Sequence, residues 1–328
     1  MTTRLDQKLA NIRAGRYRPA DFIIADAKDG DIGFGRAAPG LDRASGVMKT
    51  RETHLQAIRE MTISGLVDVM LMSASTGQRL ANEGIFAGSD VTPAIRLNDT
   101  TDIWSARGGR YKEAASRHHR TARIDQARNY VDLGLYSVTF SNERDIDAIN
   151  AEAYSAFRAE AAERKMRHFL EIFNPAFDIR LAGNADIGSF INDNIVRTLA
   201  GVMDEDHPLF LKLQYNGPRA MEELASYDPS RLIVGILGGA AGTSRDTFEL
   251  LSQAEKYGAR VALFGRKIHF AESPLDVVAL MREVVARTVT PAEAVRAYHG
   301  ALQRKRIAAA RPLAEDIELT EPPLKLAA

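Results

Sequence analysis

Residues 232–264 read LIVGILGGAAGTSRDTFELLSQAEKYGARVALF. The apolar run 232–237 stops at Gly238-Gly239. Thr243 or Ser244 then opens a helical stretch, with Asp246 three residues after Thr243 as in a capping box. That stretch runs over 244–257, and a second apolar run, 261–264, ends at Gly265. Strand, glycine turn, capped helix and strand make one βαβ unit, whose strands pair in parallel.

The same unit recurs upstream. Short apolar runs at 22–27, 67–73, 91–97, 135–141, 168–173 and 209–214 bring the expected strands to eight. Helical patterns fall at 50–63, 144–165, 189–201 and 219–226, and one more, 274–288, follows the eighth strand. Eight units in about 270 residues match the size of a closed barrel. The reading is an α/β protein, a (β/α)8 TIM barrel with an N-terminal helix and a C-terminal helical extension. An open doubly wound sheet is the competing fold. Residues 1–303 are expected as one barrel domain and 304–328 as a tail, solvated or crossing to another subunit. Two segments lie outside the repeat: the Gly- and Asp-rich stretch 28–49, and the polar insertion 98–121 after the third strand. Long loops on this side of a barrel belong to active sites or oligomer contacts, and Trp104 and Tyr111 are candidates for a lid or such a contact.

Composition narrows the function. The 328 residues are 45% hydrophobic, enough for a large core. Lys+Arg and Asp+Glu both number 43, so no net field recruits nucleic acid or an anionic membrane, and neither is an expected partner. No apolar run approaches the length of a membrane span, and the charged N-terminus has no signal-peptide core. The chain has no cysteine, which removes thiolate chemistry and fits a reducing compartment. A cytoplasmic protein is the expectation. The pair His118-His119 is flanked by arginines that repel a cation, so no metal or other cofactor is expected.

The sharpest local signal is HPLFLKLQYNGP, residues 207–218. Alternation puts Leu209, Leu211 and Leu213 on the shell face, with Phe210, Lys212 and Gln214 facing the barrel interior. An inward lysine needs a carboxylate partner or a chemical use, because a buried ammonium is costly. Desolvation that frees the amine makes it a nucleophile toward a carbonyl. Glu171 alternates with Phe169 and Phe173 and so shares the interior with Lys212, as an acid/base or as the counter-ion of an interior arginine. Arg96 and Asn98 end the third strand on one face, to bind a substrate hydroxyl or anion or to brace a loop. Asp26 is a candidate hydrogen-bond partner of a carbinolamine, or a strand-end cap. Lys28 reads as a solvated loop lysine. Gly238 and Gly239 after the seventh strand, with Gly265 and Arg266 after the eighth, form a candidate phosphate site of backbone N–H groups and a guanidinium.

The stretch VGILGGAAGTSRDTFELLSQAEKYGARVALFGRKIHFAESP, 234–274, resembles the DeoC/LacD-type class I aldolases. Archaeal-type fructose-bisphosphate, tagatose-bisphosphate and sulfofructose-phosphate aldolases belong to this group. The resemblance extends over roughly 20–290. It implies a Schiff-base lysine on the sixth strand at Lys212, and phosphate held by Gly238, Gly239, Gly265 and Arg266. FLEIFNP, 169–175, is similar to the fifth-strand segment that carries a carboxylate, here Glu171. IIADAKDGDIGFG, 23–35, resembles the first-strand segment bearing an aspartate, which leaves Asp26 and Asp29 both as candidates. Where the archaeal branch has a tyrosine acid, this chain has Phe173 and Asn174, so Glu171 is the first proton carrier and Tyr215 the second. The implied function is a class I aldolase acting on a phosphorylated ketose in a homo-oligomer. A transaldolase-like transferase, a phosphosugar isomerase or epimerase, and a barrel without catalysis are the alternatives.

Overall fold

The computed structural model describes residues 3–43 and 45–326. Eight parallel strands close into a barrel: β1 (Ile23–Lys28), β2 (Val69–Met72), β3 (Thr92–Arg96), β4 (Leu133–Thr139), β5 (Arg167–Phe173), β6 (Leu211–Leu213), β7 (Gly235–Leu237) and β8 (Val261–Phe264). Each strand pairs with its neighbours in sequence, and β1 pairs with β8 through Ile23 and Val261. The expected barrel is present, and the open sheet is excluded. Helices Arg51–Ser64, Ala74–Asn82, Arg144–Glu163, Ile187–Leu199, Pro218–Tyr227, Ser244–Lys256 and Pro274–Val285 form the shell. Between β3 and β4 the crossover is instead a hairpin, Asn98–Thr100 with His118–Arg120, and the short helix Ile124–Ala127.

Two apolar clusters separate the barrel's inside from its shell. Ile23, Ala25, Val69, Leu71, Ala94, Leu135, Phe169, Phe210, Val261 and Leu263 pack in the interior. Ile24, Met70, Ile95, Tyr136, Leu170, Leu211, Leu213 and Phe264 pack against the helices. The alternation expected of β6 holds at Phe210, Leu211 and Leu213. Leu209 differs: it precedes the strand and packs against the interior cluster.

The N-terminal helix Arg4–Arg13 stoppers the barrel floor. Thr3 caps it reciprocally with Asp6, and Leu5, Leu9 and Ile12 join the interior cluster. Asp68, fully buried before β2, fixes this helix. Its carboxylate meets Arg4 Nε at 2.9 Å, Lys8 Nζ at 2.9 Å and Arg282 Nη2 at 2.7 Å, and it accepts the Ile24 N–H at 2.9 Å. Burial raises the Asp68 pKa, but Arg282 and Lys8 outweigh it and hold the carboxyl below its ordinary value.

The C-terminal segment is exposed over residues 308–315 and docks only beyond them. After helix Pro291–Arg304 the chain turns back in two short helices, Leu313–Asp316 and Pro322–Lys325, and buries Asp316 and Leu324 against helix Ser244–Lys256.

Replacing Asp68 with alanine strands three cations around one buried site. Urea denaturation of Asp68→Ala is expected to show a stability loss of about 3 kcal/mol. A loss under about 1 kcal/mol would mean the cluster does not hold the helix.

Candidate active site

Parallel pairing places Ser137 beside Glu171 and Glu171 beside Lys212, across β4, β5 and β6. All three point inward. Lys212 is 5% exposed and Glu171 1%. Lys212 Nζ contacts Glu171 Oε1 directly. The other oxygen, Oε2, accepts from Ser137 Oγ and from Arg96 Nη2, each at 2.8 Å.

Arg96 closes the cluster. It is the last residue of β3 and takes the inward parity of Ala94. Its Nη1 donates to Ser137 Oγ at 2.7 Å and to Asp99 Oδ1 at 3.3 Å, while Nε donates to Asp29 Oδ2. Every nitrogen of the guanidinium is therefore engaged. Burial opposes its charge, but Asp29, Glu171 and Asp99 prevail and raise its pKa. For Asp29, burial is outweighed by the Arg96 and Lys212 charges, which hold its carboxyl below the ordinary range. Asp99 goes the other way: burial, only partly offset by Arg96, pushes it up to about 6.

Of the two candidate aspartates, only Asp29 joins the cluster, through Arg96 Nε. Asp26 lies opposite Met70 and Phe264, both shell-facing, so its side chain leaves the barrel interior. It pairs there with Lys28 Nζ at 3.1 Å. Lys28 is not a solvated loop lysine, being 2% exposed. Tyr215 is likewise removed as a proton carrier. It packs with the shell, and its hydroxyl donates to Gln253 Oε1 at 3.0 Å. Gln214 lies just past β6 and is exposed, with no hydrogen bond to a described residue. Asn98 braces: its side-chain amide accepts the Ser137 N–H at 2.6 Å and donates to the Ser137 carbonyl at 2.8 Å.

Two members escaped the sequence reading. Ser137 had a signal, as a polar residue in the apolar run LGLYSVTF at the parity of Leu133 and Leu135. Asp99 had none, because it reaches Arg96 only through the hairpin's path. The insertion walls the site: Trp104 donates Nε1 to Asp99 Oδ2 at 3.2 Å and packs edge-on against Tyr111 and His119. Buried Asp102 ties the insertion to β4 through Thr139 Oγ1 and to the loop after β5 through the Ala176 N–H.

At the β7 and β8 ends, Gly238 lies under the Phe264 ring, 3.2 Å from where a Cβ would stand, and Gly239 has φ +66°. The N–H groups of Gly238, Gly239 and Ala240 meet no acceptor among the described residues. Gly265 begins the next turn, and Arg266 is exposed with its guanidinium over the Phe34 ring. A cavity of about 270 Å³ beside these loops is lined by Arg43, Gly242, Thr243, Ser244, Arg266 and Lys267 among others. A larger cavity, about 750 Å³, lies at the other end of the barrel near Arg13 and Leu209. Its charges are mostly paired, as in Arg158–Asp206 and Arg231–Asp204, and it lacks the coupled lysine and carboxylates.

Because Asp99 keeps its proton up to about pH 6 when folded, against an ordinary 3.8, the native state binds the extra proton between those values. Stability therefore falls as pH rises through that window. In Asp99→Asn the urea midpoint is expected to decline less between about pH 4 and 6 than in wild type. Equal slopes would contradict the placement of Asp99.

No protein-family model matches the chain, and no curated protein matches it. Solved structures do. An archaeal fructose 1,6-bisphosphate aldolase is similar over 86% of this chain and 99% of its own, at 14% identity and a TM-score of 0.62. A Schiff-base-forming fructose-1,6-bisphosphate aldolase matches over the same shares at 15% and 0.60. The fructose-bisphosphate aldolase of Slackia heliotrinireducens matches over 90% and 91%, at 14% and 0.63. At such identities the likeness is one of fold: this chain shares the (β/α)8 barrel of the Schiff-base aldolases.

Proposed function

We propose that the protein is a class I aldolase that cleaves or forms a C–C bond of a phosphorylated ketose through a Schiff base on Lys212. The observation that carries this reading is the contact of Lys212 with Glu171 inside the barrel, with Glu171 held on its far oxygen by Arg96 and Ser137. A lysine whose carboxylate partner is fixed by other donors has a proton acceptor in a set position.

In the proposed reaction Glu171 first takes a proton from the Lys212 ammonium, and the freed amine adds to the ketone carbon. A second proton moves from Nζ to the new oxygen to complete the carbinolamine, Glu171 then gives its proton to that hydroxyl, which leaves as water, and an iminium forms. The C3–C4 electron pair then flows to the iminium nitrogen, and a carboxylate takes the C4 hydroxyl proton as the aldehyde departs. The resulting enamine is reprotonated at C3, and water releases the amine and the ketone product. Glu171 is the proton carrier in contact with the amine. Asp29, fixed by Arg96, replaces Asp26 as the second carboxylate. The free N–H groups of Gly238 and Gly239, with Gly265 and Arg266, support the proposed phosphate seat, where binding energy fixes the reacting carbons over Lys212.

A panel of ketose phosphates assayed for aldehyde release tests the proposal. Wild type is expected to cleave at least one member, and Lys212→Met none. Turnover that survives in Lys212→Met would refute the Schiff base. Aldehyde absent from the products, with a three-carbon unit appearing on an added acceptor, would replace cleavage with transfer.

Glu171→Gln keeps the shape and a hydrogen-bonding oxygen while removing the proton carrier. Its kcat is expected to fall by roughly 10²–10⁴, with KM changing far less. A fall under about tenfold would assign Glu171 to structure alone.

A further inference from the structure

The last described residues end against the two loops of the proposed phosphate seat. Glu321 Oε1 lies 2.7 Å from Lys267 Nζ, on the residue after Arg266. A Cβ on Gly242 would stand 3.1 Å from that same oxygen and 3.2 Å from the ammonium, and the backbone there has φ +62°. Glycine at 242 thus lets a carboxylate fit between the loop after β7 and the turn after β8.

A second carboxylate does similar work nearby. Asp316 Oδ1 accepts the N–H of Ser244, the first residue of helix Ser244–Lys256, at 2.8 Å. The Glu318 carbonyl accepts from Thr243 Oγ1 at 2.9 Å.

The arm has its own anchors. Asp246 Oδ1 accepts the N–H of Thr320 at 2.8 Å and of Glu321 at 3.2 Å, and Gln253 Nε2 donates to the Leu324 carbonyl at 2.8 Å. Leu324 is fully buried. Lys267, whose side chain is wholly buried, has Glu321 as its carboxylate partner, while neighbouring Arg266 forms no ion pair among the described residues. An anion entering these loops meets unpaired N–H groups and Arg266, but it finds Lys267 and the helix N-terminus already taken.

We infer that residues 313–326 are an internal anionic ligand of the phosphate seat, and that a phosphate monoester gains Lys267 only by displacing Glu321. The inference rests on the phosphate seat proposed above and adds the competitor. Two anions at one ammonium repel each other, so ligand affinity is the difference between the ligand's and the arm's hold on the same cation. The arm then discriminates by charge: an uncharged ketose leaves it seated, and a phosphorylated one loosens it.

Inorganic phosphate is the probe, titrated calorimetrically into the full chain. Glu321→Gln is expected to bind it roughly three- to tenfold more tightly than wild type. In wild type, saturating phosphate is expected to speed hydrogen exchange at the Thr320 and Glu321 amides, which Asp246 now protects; this second reading does not depend on any variant folding. Equal affinities with unchanged exchange would overturn the arm's role and leave the seat standing. No phosphate binding by either chain would overturn the seat, and this inference with it.

Discussion

A guanidinium removed from water is tolerable only when its nitrogens find acceptors, and Arg96 shows what that requirement does to its surroundings. One planar group takes Asp29 from the end of β1, Asp99 from the insertion, Ser137 from β4 and Glu171 from β5. Four chain segments are thereby fixed around one cation. Glu171 is left with a single oxygen free of Arg96 and Ser137, and that oxygen meets Lys212. The lysine's setting is thus a consequence of the arginine's needs. Three carboxylates face two cations here, and Asp99, buried and only partly offset by Arg96, retains its proton to about pH 6.

The barrel was legible because each strand is an apolar run bounded by glycine or polar residues, and because capping signals such as Thr243 with Asp246 mark where helices start. Strand ends were less legible. The run 232–237 is apolar throughout, yet only Gly235–Leu237 form ladder, since a buried extended segment and a paired strand look alike in sequence. Parity was readable on β6, where large side chains lie on both faces of a single lysine. It was not readable on β1. In a parallel barrel both faces are buried, and IIADAK puts one isoleucine on each side, so Asp26 and Asp29 could not be separated. Only the structure shows Asp26 facing the shell.

The remaining features depend on contacts far apart in the chain. Arg96 and Asp29 are 67 residues apart, and Thr320 and Asp246 are 74. No periodicity encodes such pairs. The same holds for the arm: its Asp and Glu residues read as solvated charge until the chain's return brings them to helix Ser244–Lys256 and Lys267. Charged residues that look unremarkable in sequence here form both the cluster around Arg96 and the contacts beside the proposed phosphate seat.

The proposed nucleophile is Lys212, in contact with Glu171. The most direct measurement is borohydride reduction in the presence of a ketose phosphate, followed by peptide mapping by mass spectrometry. The expected result is a reduced substrate adduct on Lys212 and on no other lysine, buried Lys28 included. Turnover of that ketose phosphate without any such adduct, or an adduct on a different lysine, would contradict it.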